Sequence, residues 1–169
     1  MKILETERLL LRQFSLADAE LILELLNEPS FIRNIGNRGV RTLADARSYI
    51  LNGPVASYAK NGFGLYLVVL KQTNESIGMC GLIKRDTLED VDIGYAFLPR
   101  FWARGYAVES ARAVKEYAEN VIKLKRLVAI TDPLNEDSIR LLEKIGLQFK
   151  KMVRLSEDDV ELKLFSIDL

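Results

Sequence analysis

Apolar and polar positions along the chain switch several times between strict alternation and a spacing of three to four, and those switches predict its elements. Residues 3–14 alternate as one strand, and Ser15-Leu16-Ala17-Asp18 then opens a helix like a capping box, with Ile22, Leu25 and Leu26 inward. Residues 27–39 have no period and read as irregular. Thr42 and Asp45 repeat the cap before a helix with Leu43, Ala46 and Ile50 inward, which is interrupted at Gly53-Pro54 and resumes towards Lys60. Strands at 63–71, 76–85 and 90–98 follow, joined by Thr73-Asn74-Glu75 and Thr87-Leu88-Glu89, which are short enough for antiparallel hairpins. A helix over 105–122 and a strand over 126–131 come next. Asn135 then caps a helix that ends at Gly146, and a final strand pair meets near Glu157-Asp158. No repeat, linker or low-complexity stretch divides the chain, so residues 1–169 are expected to form a single domain of mixed α/β class.

One strand-to-helix passage carries chemistry. In residues 91–113, VDIGYAFLPRFWARGYAVESARA, Val91, Ile93, Tyr95 and Phe97 share one strand face and Asp92, Gly94, Ala96 and Leu98 the other, until Pro99 ends the ladder by removing a donor. Beyond it Ala107, Val108, Ala111, Val114, Ala118 and Val121 form an apolar helical stripe, with Glu109, Arg112, Lys115, Glu116 and Glu119 mostly opposite. The first turn of this helix presents unpaired N–H groups, a positive dipole end and Arg104, and Gly105 lets a ligand approach the backbone closely. Binding of a phosphate is expected there. Gly94 and Ala96 leave one face of the preceding strand nearly bare, as close approach of a ligand requires.

Composition narrows the chemistry. The 24 basic and 24 acidic residues cancel, so no global field favours nucleic acid or an anionic membrane surface, and phosphate recognition must be local. The densest basic run, Lys123, Lys125 and Arg126, suits the C-terminal end of the preceding helix. One cysteine excludes an internal disulfide and a Cys-based zinc site. The absence of histidine removes the usual metal ligand and the usual base, so no metal is expected. No apolar run approaches a membrane span, and charges interrupt the first twelve residues where a signal peptide would be apolar. A cytoplasmic protein is expected.

The spelling of the strand-to-helix passage, G-Y-x-x-x-P-x-x-W-x-R-G-Y-A-x-E, resembles the acetyl-CoA loop of the GCN5-related N-acetyltransferases, Q/R-x-x-G-x-G/A, with Gly105 and Ala107 at the small-residue positions. Trp102 stands where Gln or Arg is usual. This departure is typical of the RimJ/RimL branch of ribosomal-protein N-terminal acetyltransferases, where W-G-K-G-Y-A is common and Ala103 here replaces the first Gly. The opening ETERLLLRQFSLADAE resembles that branch's T-E-R-L-x-L-R strand, and NEDSIRLLEKIGLQF resembles N-x-x-S-x-x-L-x-E-K-x-G-F, so the resemblance covers nearly the whole chain. It implies a central, mostly antiparallel sheet with flanking helices, in which the fourth and fifth strands splay apart to admit the pantetheine arm of acetyl-CoA. The implied acceptor is a primary amine, a protein N-terminus or a small molecule, taken up by a monomer or homodimer. The other reading is a CoA-binding regulatory or interaction module without turnover.

Within that resemblance, backbone groups at Phe97 and Leu98 are the implied pantetheine contacts, and Arg104, Gly105, Tyr106, Ala107 and Val108, beside Trp102 and Ala103, the implied pyrophosphate cradle. Trp102 also reads as an ordinary core or rim aromatic. Asp92, the only ionisable group on the small-residue face of its strand, is the candidate base, acting directly or through water; a solvated strand carboxylate is the plainer alternative. Glu109 in the first helical turn is favoured by the dipole alone. Many members of the family protonate the leaving thiolate with a tyrosine four residues before the helix-ending Gly, and that place holds Leu142 here. Ser138 is the substitute candidate, with Asn135 a pantetheine or water contact, although both also suit an ordinary helix cap. Cys80 is expected to be a small apolar filler rather than a nucleophile.

Overall fold

The computed structural model describes residues 1–169. All eight strands join one sheet: β1 (Lys2–Glu5), β2 (Leu9–Arg12), β3 (Leu65–Leu70), β4 (Glu75–Ile83), β5 (Asp92–Phe97), β6 (Arg126–Thr131), β7 (Gln148–Val153) and β8 (Leu162–Asp168). Their spatial order is β1-β2-β3-β4-β5-β6-β8-β7, and every pairing is antiparallel except β5 with β6. Helices α1 (Ala19–Leu26), α2 (Pro29–Asn34), α3 (Leu43–Ile50) and α4 (Ala56–Asn61) lie between β2 and β3; α5 (Tyr106–Tyr117) connects β5 to β6, and α6 (Glu136–Lys144) follows β6. The expected mixed sheet with flanking helices is therefore present.

The expected single strand over residues 3–14 is instead the β1–β2 hairpin. Thr6, Glu7 and Arg8 interrupt the alternation, and Thr6 closes the turn: its N–H donates to Leu9 O at 2.8 Å and its Oγ1 accepts from Leu9 N at 3.0 Å. The stretch expected to be irregular contains α2, started by Pro29 at the first helical position, where its missing N–H costs nothing. Leu43, expected inward, stands 37% exposed at the first position of α3, and Val121 is 61% exposed. Past Tyr117 the helix widens into a π turn, Ala118–Ile122, so a period of 3.6 carried beyond Tyr117 misplaces Val121.

Leu9, Leu11, Ile22, Leu25, Ile50 and Leu67 form part of one continuous buried core. Helix α5 lies across β4 and β5 on the face that carries Cys80 and Tyr95, a directly opposed pair, and its Ser110 meets the Cys80 thiol. Asp92, three positions from Tyr95 on a strand of period two, belongs to the other face. The site depends most on a break in the sheet. β5 and β6 share one bridge, Asp92 opposite Val128, with Val128 N donating to Val91 O at 3.1 Å, and beyond it the strands part.

Candidate active site

The chain leaves β5 through a short turn, Pro99–Phe101, and reaches α5 by way of Trp102–Gly105. Trp102 is held at both ends, its N–H donating to Pro99 O at 3.1 Å and its indole Nε1 to Phe97 O at 2.9 Å, while the side chain stays 47% exposed. Ala103 and Gly105 both adopt left-handed backbone, with φ of 61° and 83°. At Ala103 this costs more than the added methyl group, because an L-residue pays of order 1–2 kcal/mol for that conformation. The first bond of the helix runs from Glu109 N to Gly105 O, and the amides of Ala103, Arg104, Gly105, Tyr106, Ala107 and Val108 find no acceptor in the chain. Six consecutive donors at a helix N-terminus, beside the exposed Arg104, form an anion cradle.

The parting of β5 from β6 opens next to this cradle. Leu98 N donates to Ile77 O at 3.0 Å, so by the alternation of an antiparallel ladder the amides and carbonyls of Tyr95 and Phe97, beyond the bridge, face the opening. Of the two expected pantetheine contacts, Phe97 thus points its N–H at the gap while its carbonyl is taken by Trp102. Leu98 is turned away, a correction that the period of two dictates. Its amide and its carbonyl, which accepts from Phe101 N at 2.9 Å, are both engaged, and its side chain is fully buried.

Tyr95 reaches from β5 to α6, where its hydroxyl and Ser138 Oγ are 2.7 Å apart. Burial pushes the Tyr95 phenol well above its usual range, opposed by the Ser138 hydrogen bond, so the phenol orients Ser138 and gives up no proton at neutral pH. Asn135 Oδ1 caps α6 by accepting from Ser138 N at 3.3 Å, which leaves its side-chain NH2 free.

Asp92 sits at the closed end of the opening, 1% exposed, with Oδ1 accepting from Arg85 Nε at 3.1 Å. Burial raises its carboxyl to about 6 against the opposing pull of the Arg85 charge. It is not the solvated strand carboxylate of the plainer reading. Arg85 and Arg38 also flank Tyr49 of α3, whose phenol is raised by burial and lowered by both cations. Tyr49, Arg38, Val40, Asp45, Ser48 and Asn52 line a shallow, open depression of the surface.

Residues 8–148 match the acetyltransferase (GNAT) domain model. The chain belongs to the GNAT acetyltransferase family. YkkB of Bacillus subtilis, an uncharacterised protein, is 32% identical over 154 residues, covering 89% of this chain and 88% of that relative. A GNAT-family acetyltransferase from Bacillus anthracis superposes with a TM-score of 0.82 at 27% identity, covering 99% of this chain and 98% of that one. RimL, a ribosomal L7/L12 alpha-N-protein acetyltransferase solved with coenzyme A, shares the fold with a TM-score of 0.86 at 15% identity over 100% of this chain and 98% of its own. This GNAT protein is therefore an acetyl-CoA-dependent acetyltransferase.

The cradle fits that cosubstrate, because six free amides ending in a helix dipole match a pyrophosphate, and each charge-assisted bond contributes about 1.5–3 kcal/mol gross. Three residues that hold the candidate site groups carry no local signal in the sequence. Arg85 lies seven residues before its carboxylate, across a loop of unpredictable shape. Tyr95 was assigned only to an apolar face. Arg8 was read only as part of a strand motif, although it donates to Glu109 and to Arg104 O from a hairpin about a hundred residues away. In all three the signal is tertiary. Cys80 is fully buried, with its thiol raised to about 12 by burial, which suits a filler and not a nucleophile.

Proposed function

We propose that the chain acetylates an amine of lowered basicity, a protein N-terminus or a small-molecule amine of comparable pKa, in the manner of the RimJ/RimL branch. The observation that carries this reading is the run of six unpaired amides beside the parted strands. Acetyl-CoA, when bound, supplies a thioester open to direct attack and a thiolate leaving group. The amides of Ala103–Val108 hold its pyrophosphate, and the backbone edge at Tyr95 and Phe97 lines its pantetheine arm. Ser138, fixed by Tyr95 and by the cap at Asn135, would supply the hydroxyl that protonates the leaving thiolate. Asp92, mostly ionised at pH 7, takes the amine's proton directly or through water.

The preference for a weakly basic amine follows from proton occupancy. An α-amino group with pKa about 7.7–8.0 is roughly 10–20% neutral at pH 7, and a lysine amine near 10.4 only about 0.04%, a difference of a few hundred-fold in available nucleophile. The test uses one peptide in two forms, with the N-terminus blocked and a lysine free, or the reverse. Thiol release from acetyl-CoA should be faster with the free N-terminus; faster release with the lysine form at pH 7 overturns this acceptor class. Release with no member of an amine panel, alongside tight CoA binding, would favour the non-catalytic module.

A further inference from the structure

We infer that Arg8 is a positioning residue for the pyrophosphate cradle, acting with Glu109 from the β1–β2 hairpin; the inference rests on the assignment of residues 103–108 to the cosubstrate. The cradle needs outside support. Its donors have no partner in the chain, and Ala103 holds a conformation that disfavours L-residues, so the amides of residues 103–105, ahead of the helix, have no bond of their own to fix them. Trp102 anchors the entry to the loop, and Arg8 anchors its middle.

The geometry of that anchor is specific. Arg8 Nη1 donates to Arg104 O at 2.9 Å. In a planar trans peptide the C=O and the following N–H point in opposite directions, so holding the Arg104 carbonyl towards Arg8 aims the Gly105 amide into the cradle. The same guanidinium lies 4.5 Å from the centre of the Tyr106 ring, and a Cβ on Gly105 would come within 3.2 Å of Nη2. Arg8 therefore grips the residues on both sides of the point where loop becomes helix.

Glu109 orients Arg8 in turn. Its Oε1 accepts from Arg8 Nε at 2.7 Å, and its Oε2 accepts from Arg8 N at 3.0 Å and Thr6 Oγ1 at 2.5 Å. Burial alone would raise the Glu109 carboxyl, but the bonds from Thr6 and Arg8 outweigh it and hold the group below its usual range, ionised at neutral pH. The pair also settles a charge conflict. An unaccompanied carboxylate in the first turn of α5 would repel a pyrophosphate, and the guanidinium beside it cancels that field. Arg8 bonds the carboxylate through Nε and the carbonyl through Nη1 in one rigid plane, a geometry that the single nitrogen of a lysine does not reproduce.

The experiment compares two acetyl donors, acetyl-CoA and S-acetylpantetheine, which lacks the pyrophosphate. Arg8→Ala should raise the KM for acetyl-CoA about 10- to 100-fold, change kcat by less than about twofold, and leave the KM for S-acetylpantetheine unchanged. Arg8→Lys, which keeps the charge and loses the fork, should recover only part of the loss, and Glu109→Gln in the Arg8→Ala background should likewise recover part of it by removing the uncancelled charge. The melting temperature of each variant without ligand separates folding from binding. If Arg8→Ala fails to fold, Arg8→Lys carries the same comparison. Equal loss with both donors, or an unchanged KM for acetyl-CoA, overturns the inference and leaves the cradle assignment intact. Absence of any preference of the wild-type protein for acetyl-CoA over S-acetylpantetheine overturns the cradle assignment itself.

Discussion

Asp92 was legible as a candidate base because it is the one ionisable group on a strand face otherwise made of small residues, but its state was not. Its carboxyl lies above the ordinary 3.8, at about 6, because burial outweighs the stabilising charge of Arg85. If the ionised form is the base, activity should fall as pH drops through about 6, and Asp92→Asn should lower kcat about 10²- to 10⁴-fold with little change in acetyl-CoA affinity. A pH–rate profile and donor titrations of the two proteins check this. Stability carries the opposite sign. A carboxyl whose folded pKa is raised binds its proton more tightly in the native state, so its contribution is fully present below about 4 and is lost as pH rises through about 6. The stability of the wild type relative to Asp92→Asn should therefore be greater at pH 4 than at pH 7, by on the order of 3 kcal/mol, measured by denaturant unfolding at the two values. Ser138→Ala should cost far less activity than Asp92→Asn, because a CoA thiol with a pKa near 8.5 leaves without much help.

The connection from β5 to α5 is where local sequence and local structure agree best. Gly105 was expected to allow close backbone approach, and it takes φ of 83° at the mouth of the helix, with Arg8 Nη2 facing the place a side chain would fill. Gly105→Glu should therefore abolish CoA binding, since a strained side chain would push Arg8 aside and set a further carboxylate beside the cradle. Calorimetric titration with CoA checks it, and retention of wild-type affinity would remove the cradle from this connection. The hairpin and α2 were misjudged for identifiable reasons. Three polar residues, Thr6-Glu7-Arg8, were absorbed into a strand because apolar residues continue on both sides. Pro29 was passed over because α2 spans only Pro29–Asn34, too short for a period to show. The end of α5 failed for a third reason: a π turn changes the angle per residue without changing composition.

At the level of the whole molecule, the proposed cosubstrate site joins parts that lie far apart in the chain, namely the β1–β2 hairpin, the β5–α5 passage and the start of α6. Occupying it should stabilise the entire fold. CoA at a hundred times its dissociation constant should add about 2.7 kcal/mol, or about 5–11 °C in melting temperature for a protein of this size. Thermal unfolding with and without CoA measures this directly, and an unchanged melting temperature at saturating CoA would end the assignment of the site. Sequence alone determined the mixed class of the fold, the glycine-bearing turn that leads from β5 into α5 and the absence of histidine, because those follow from periodicity, from glycine and proline, and from which residue types are present. Tertiary structure alone decided that Leu98 turns away, that Asp92 is buried on Arg85, that Tyr95 holds Ser138 and that Arg8 braces the cradle. Each of these depends on which groups meet across the sheet and on how much water is excluded, and neither quantity is a property of a residue's neighbours in the chain.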